Sequence, residues 1–413
     1  MKSVWHPLSV LALAMGLGAC AGGPVADNMC VGLTHATTPS AALVTQGAAP
    51  SESLNDALGG MMLRVLQGEA APHEEALLLG DGPAPARHAP RRQTVNLNLL
   101  ALSTGGQYGA FSSGFLTGWT KAGTRPDFNV VTGASAGGLI APIVFAGPQY
   151  DVRLRLNTDV NDSDLVRERG LLELLSANAL FDVKPLEARV RDAIDAALIN
   201  DIGSRWLAEN ELIIGATNID TGRFALLDVG GLAADEDLPL EVNRDCITEA
   251  VLATSASPGF FPPRRINGQL YTDAGVREHI FLDGVSRGLR EGANLLNVDL
   301  RVPAYLLIND DLRVREVKTG TKLADLAERN IDLVIDEGMR NSLLRTVDVA
   351  ERAGWRLRAV KAPDFEELGC PDIGSVSSAC VTRALYERGE ALALRGNIPW
   401  LGPRAVRALA SEF

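Results

Sequence analysis

Lysine is nearly missing from this 413-residue chain: of its 39 basic residues, only Lys2, Lys121, Lys184, Lys318, Lys322 and Lys361 are lysines. The arginine- and alanine-heavy composition is the codon bias expected of a GC-rich genome and points to no function. Basic charge is short overall. A formal net charge of −12 excludes a broad nucleic-acid surface. Long hydrophobic runs are missing too, which excludes a polytopic membrane protein. The strongest apolar run, Leu8 to Leu17, is too short to span a bilayer of about 30 Å. Histidine is sparse and scattered (His6, His35, His73, His88, His279) and no CxxC occurs. No zinc site is therefore readable, and neither a metal nor another cofactor is expected. What remains is ordinary globular composition, 46% hydrophobic and 22% charged. The length suits one large α/β domain with additions, or two or three small ones.

The first residues read as a targeting segment. A positive start at Lys2 precedes the short apolar run, which ends in Leu17-Gly18-Ala19-Cys20. Small residues before a cysteine resemble the lipobox of bacterial lipoproteins. That resemblance implies a signal peptide over 1–19 and a lipidated Cys20 as the first mature residue. The plainer alternative is an ordinary secretory signal cleaved near Ala21. With Ala21 rather than Asp after the cysteine, the lipoprotein reading places the chain in the outer membrane, facing the periplasm. The four other cysteines are Cys30, Cys246, Cys370 and Cys380, an even number that suits an oxidising compartment. Cys370 and Cys380 could close a small loop worth about 2–3 kcal/mol, unless all four are plain buried thiols.

Residues 20–92 are rich in Ala, Gly, Pro, Ser and Thr and read as a tether. Its reach as a flexible chain would be about 45 Å, and a short amphipathic helix falls within Ser51–Gln67. Strand, glycine turn and helix then recur twice. Val95 to Leu102 is a strand before Gly105-Gly106, with a helix from Gly109 to Ala122. Phe128 to Thr132 is a strand before Gly133-Ala134-Ser135-Ala136-Gly137, with an apolar helix after it. This order predicts an α/β fold with a mainly parallel sheet. Further strands are expected at Glu211–Ala216, Arg223–Asp228, Gln269–Thr272 and Pro303–Ile308. Residues 313–413 read as mostly helical, so the main α/β domain is set at 93–312.

Gly133-x-Ser135-x-Gly137 has the pattern of a nucleophile elbow, in which a serine on a tight strand-to-helix turn is lifted off the sheet. The string alone is weak. With 20 serines and 41 glycines, about 0.2 chance occurrences are expected. The apolar strand before it and the apolar helix after it are what the chemistry requires. Amides from Ala136 onward begin that helix and point towards developing negative charge. Upstream, Ser103-Thr104-Gly105-Gly106-Gln107-Tyr108-Gly109 offers unblocked backbone N–H groups for an oxyanion. Its spacing is not the GxGxxG of a dinucleotide loop.

A glycine-rich loop, GxSxG about thirty residues on, and Asp273-Ala274-Gly275 far downstream together resemble the patatin-like phospholipases. Ala216 to Gly222 and Thr254 to Pro263 add to the likeness, which covers about 97–310. The resemblance implies a three-layer α/β/α sandwich with a Ser135–Asp273 dyad. On that resemblance Ser135 would be the nucleophile and Asp273 the general base. Gly105, Gly106 and Ala136 would form the oxyanion hole, with Gly133, Gly137 and Gly275 as motif glycines. Two positions depart from the family's Asp-Gly-Gly-Gly-x-Arg-Gly loop: Thr104 replaces a glycine and Tyr108 the cation. His279, six residues past Asp273, is the one histidine that could turn the dyad into a triad.

The expected function is a membrane-anchored serine acyl hydrolase acting on phospholipids, lysophospholipids or other acyl lipids. Two alternatives remain open at this level. One is a non-catalytic lipoprotein that binds acyl lipid or a protein partner. The other is an acyltransferase on the same dyad, because both reactions share the acyl-enzyme.

Overall fold

The computed structural model describes residues 30, 33, 58–70 and 92–412, apart from 159, 171–172, 174–176, 315, 317 and 372–375. The expected signal peptide and Cys20 lie outside the described residues. The strands that build the fold are β1 (Thr94–Asn96), β2 (Leu99–Leu102), β3 (Val130–Ala134), β4 (Glu211–Asn218), β5 (Arg223–Asp228), β6 (Arg264–Ile266), β7 (Gln269–Thr272), β8 (Asp299–Arg301), β9 (Pro303–Ile308) and β10 (Arg356–Lys361). The main helices are α1 (58–70), α2 (Gly109–Lys121), α3 (Ala136–Ala146), α4 (Lys184–Ala193), α5 (Ala196–Leu207), α6 (Leu240–Thr254), α7 (Asp283–Leu296), α8 (Leu323–Ala353), α9 (Ala379–Leu394) and α10 (Pro403–Glu412).

Strands β10, β9, β2, β3 and β4 lie side by side and parallel, in that order. Strands β2, β3 and β4 are buried throughout, as parallel strands covered on both faces must be. Their side chains alternate between two cores. Leu100, Leu102, Val131, Leu212, Ile214 and Leu307 face one layer of helices. Leu99, Ala101, Val130, Ile213, Leu306 and Ile308 face the other. Phe111 and Phe115 of α2, Ile140 of α3, Ile199 of α5, Val251 of α6 and Leu385 of α9 close the first core. Met62 of α1, Leu289 of α7, Leu343 of α8 and Val406 of α10 close the second. The result is the expected three-layer α/β/α sandwich.

The structure adds detail that the sequence reading did not carry. The expected first strand is broken at Asn98, whose amide donates to Asn129 Oδ1 (2.9 Å), so β1 leaves the main sheet and pairs with β8. The region beyond 313 is mostly helical, as expected, and also contributes a strand. Gly354 ends α8 in the left-handed conformation, and the alternating Arg356–Lys361 then becomes an edge strand on β9. The expected boundary at 312 therefore cuts one continuous sheet.

The expected tether over 20–92 is, in part, built into the body. Helix α1 buries Leu58, Met62, Val65 and Leu66. Its Arg64 forms a 2.6 Å salt bridge to buried Glu211 and lies 3.9 Å over the Trp206 ring. Cys30 is disulfide-bonded to Cys246, and Cys370 to Cys380, with Cα separations of 5.5 and 5.8 Å. Cys30 also exchanges two hydrogen bonds with the Asn267 side chain in the turn between β6 and β7.

Candidate active site

Strand β3 ends at Ala134, and Ser135 makes the turn into α3. Its φ of 50° and ψ of −119° lie where residues with side chains rarely go. The surroundings impose this. The Ser135 amide donates to Thr254 Oγ1 (2.8 Å), at the end of α6. The turn also packs too closely for side chains on its flanking glycines. A Cβ on Gly133 would come 2.6 Å from the Gly137 carbonyl oxygen, and one on Gly137 would overlap the Leu102 carbonyl.

Sheet register brings Asp273 to the same place. Strand β5 occupies one edge of β4 from Ile213 to Asn218, so β3 and β7 share the other edge. Ala134 pairs with Gly215 in the parallel sense, and Thr272 pairs with Thr217 in the antiparallel sense. The next residue of each strand therefore falls opposite Ala216, and those residues are Ser135 and Asp273.

Ser135 Oγ donates a 2.7 Å hydrogen bond to Asp273 Oδ2, and Oδ1 accepts one of 2.7 Å from the Gly275 amide. Each of the two residues is only 8% exposed. Burial pushes the Asp273 carboxyl up to about 6, against the two hydrogen bonds, which pull it down. A buried carboxylate with a raised affinity for protons, in contact with a serine hydroxyl, is suited to take that hydroxyl's proton.

The glycine loop lies against the elbow. The Gly137 amide donates to the Ser103 carbonyl (3.2 Å). The amides of Gly105 and Gly106 donate to no described residue. Ala136, as the first residue of α3, presents an amide that the helix itself does not use. Gly105 has a φ of 150°, and a Cβ there would overlap the Asn309 carbonyl. Asn309, at the end of β9, holds the loop from below. Its amide donates to Ser103 Oγ (2.8 Å), its Nδ2 donates to the Ser103 carbonyl (2.9 Å), and its Oδ1 accepts from Ser112 Oγ (2.5 Å). Tyr108 donates its hydroxyl to Asp311 Oδ2 (2.9 Å).

His279 is not hydrogen-bonded to Ser135 or Asp273. Its Nδ1 lies 2.6 Å from Thr104 Oγ1, and its Nε2 is buried with no partner among the described residues. Burial first, and the positive charge of Arg345 second, hold its pKa down at about 4, so the ring is neutral. The expectation that one histidine could complete a triad finds no geometric support.

Residues 100–285 match the family model of the patatin-like phospholipases. The chain carries a patatin-like phospholipase domain. That family's chemistry is lipid acyl hydrolysis, and the matched segment contains the loop, the elbow and Asp273. No curated protein matches the chain. The crystal structure of VipD from Legionella pneumophila is similar at a TM-score of 0.34 and 12% identity, over 78% of this chain and 73% of that one. The patatin-like domain also uses residues that the motifs alone did not single out. Thr254 braces the strained serine and sits at the start of the family-like stretch Thr254–Pro263, where it could have been noticed. Asn309 lies outside the matched segment and carried no local signal.

Proposed function

We propose that this protein is a serine acyl hydrolase that cleaves ester bonds of acyl lipids with a Ser135–Asp273 dyad. The observation that carries the reading is the 2.7 Å contact between Ser135 Oγ and the buried Asp273 carboxylate. Ser135 Oγ attacks the ester carbonyl carbon, and its proton passes to Asp273 Oδ2. The tetrahedral oxyanion is met by the amides of Gly105, Gly106 and Ala136; each donor of this kind is worth roughly 3–4 kcal/mol. Collapse expels the alcohol, which takes the proton from Asp273 and leaves an acyl-serine. Water then enters, gives a proton to Asp273, attacks the acyl carbon and releases the fatty acid as Ser135 recovers its proton. Phospholipids and lysophospholipids are the substrates that the family relationship favours.

We further propose that the chain is held at a membrane by a lipid on Cys20 and that its body faces an oxidising compartment. The lipobox-like spacing before Cys20 and the two disulfides support this. No described helix is long and apolar enough to cross a membrane.

Replacing Ser135 tests the chemistry. Ser135→Ala is expected to lower turnover of p-nitrophenyl esters and phospholipid by about 10⁴-fold or more and to abolish fluorophosphonate labelling, with the fold kept. A folded variant that retains more than a few per cent of wild-type turnover would sink the dyad. A wild-type protein that binds acyl lipid but turns over no ester would favour a binding role. Product appearing on an added alcohol in preference to water would favour acyl transfer.

A further inference from the structure

We propose that Thr104 and His279 are positioning residues, a clamp that fixes the oxyanion loop relative to Asp273; this rests on the acyl hydrolase reading above. Thr104 is the residue that stands where the family loop has glycine, and its side chain has a dedicated partner. Thr104 Oγ1 and His279 Nδ1 are 2.6 Å apart, and the Thr104 amide donates to the His279 carbonyl at 3.3 Å. Two parallel bonds thus join residue 104 to residue 279. Both side chains are buried, so the pair is not shared with water.

Each end of the clamp touches the reacting groups through its neighbours. On the loop side, Gly105 and Gly106 follow Thr104 directly and carry the unused amides. On the other side, His279 closes the short segment that begins at Asp273. A Cβ built on Gly275 would lie 3.0 Å from Asp273 Oδ1, 3.2 Å from His279 Cε1 and 3.4 Å from Thr104 Cγ2. Base, histidine and threonine therefore surround a single glycine. His279 is itself fixed from behind by α8. Its amide donates to Ser342 Oγ (3.1 Å), and a Cβ on Gly338 would come 2.6 Å from Nε2. The loop is thus held on both sides, Ser103 by Asn309 and Thr104 by His279. A glycine at 104 would leave only the first hold together with the 3.3 Å backbone bond.

Donors aimed at a developing oxyanion act mainly on the transition state, so loosening them lowers kcat and leaves KM nearly unchanged. Thr104→Val keeps the shape and removes the hydroxyl; Thr104→Ser keeps the hydroxyl. His279→Leu keeps comparable bulk and removes Nδ1. Steady-state kinetics on a p-nitrophenyl ester, with thermal melting of each variant, provide the test. Thr104→Val and His279→Leu are each expected to lower kcat about tenfold or more, with KM within about twofold and folded proteins in hand. Thr104→Ser is expected to recover most of that loss. Either of the first two decides the matter if the other fails to fold. A kcat within about twofold of wild type, a loss confined to KM, or a loss that Thr104→Ser does not recover would overturn the clamp. Misfolding of both variants would do the same, by assigning the pair to the fold alone. If wild type is an esterase and Ser135→Ala is dead, these outcomes bear on the clamp and leave the dyad standing.

Discussion

On the proposed dyad, Asp273 links pH to both turnover and stability. Its carboxyl is raised from 3.8 to about 6 by burial. As the proposed base it must be ionised, so kcat/KM for a neutral ester is expected to rise with pH through about 6 and then level off. Stability should run the opposite way. A group with a raised folded pKa contributes stability that is complete below 3.8 and is lost as pH rises through about 6. Raising that carboxyl from 3.8 to about 6 corresponds to roughly 3 kcal/mol of stability lost across that range. Asp273→Asn removes the charge and keeps the shape. It is expected to melt no lower than wild type at pH 7 and to lose that advantage near pH 4; it should turn over at least 10³-fold more slowly at pH 7, with a smaller gap near pH 4, where the wild-type carboxyl is itself protonated. A lower Tm at pH 7 would mean that the ionised carboxylate stabilises the fold. Ser135 and Asp273 were legible in the sequence because each lies in a short motif with its own glycines. The pairing of Thr104 with His279 was not, because it joins residues 175 positions apart and neither carries a local signature.

Elements were legible where one period ruled a run of residues. Arg223–Asp228, Gln269–Thr272 and Pro303–Ile308 are strands at the expected bounds. Strand β10 was hidden because six residues of modest alternation follow a 31-residue helix, and only the partner β9 makes them a strand. Helix contacts were hidden for a related reason: glycine weakens an isolated helix, and only its neighbour shows why it is needed. Helix α2 packs on α9 through such glycines. A Cβ on Gly118 would overlap the Glu390 carbonyl, and one on Gly389 would come 2.8 Å from the Phe115 amide nitrogen. Gly118 lies at the end of α2 away from the oxyanion loop. Gly118→Ala is therefore expected to destabilise by about 1–3 kcal/mol through overpacking, with kcat/KM unchanged below the melting temperature. Differential scanning calorimetry beside esterase kinetics separates the two effects. An unchanged Tm would mean that α9 moves aside freely.

At the scale of the whole molecule, the even cysteine count was readable and the pairing was not. The pairing changes how the body relates to its N-terminus. The Cys30–Cys246 bond spans 216 residues, a loop whose closure is worth about 5 kcal/mol in the chain-entropy picture. Cys30→Ser with Cys246→Ser should therefore lower Tm substantially, and a reductant should do the same to wild type. The bond also shortens the leash. A lipid on Cys20 would be separated from the first described residue of the body, Cys30, by ten residue steps, which span at most about 35 Å when fully extended. On the Cys20 proposal, this short piece sets the reach of the anchor. Cys246 lies on α6, the helix whose last residue, Thr254, braces Ser135. A short leash fixed to that helix would keep the catalytic body near its lipid substrate, which suits an acyl hydrolase. Mass spectrometry of protein purified from membranes is expected to find a diacylglyceryl adduct on Cys20, and Cys20→Ser is expected to move the protein to the soluble fraction with ester turnover intact. A mature N-terminus downstream of Cys20, or a Cys20→Ser protein that still sediments with membranes, would remove the anchor and leave the dyad chemistry untouched.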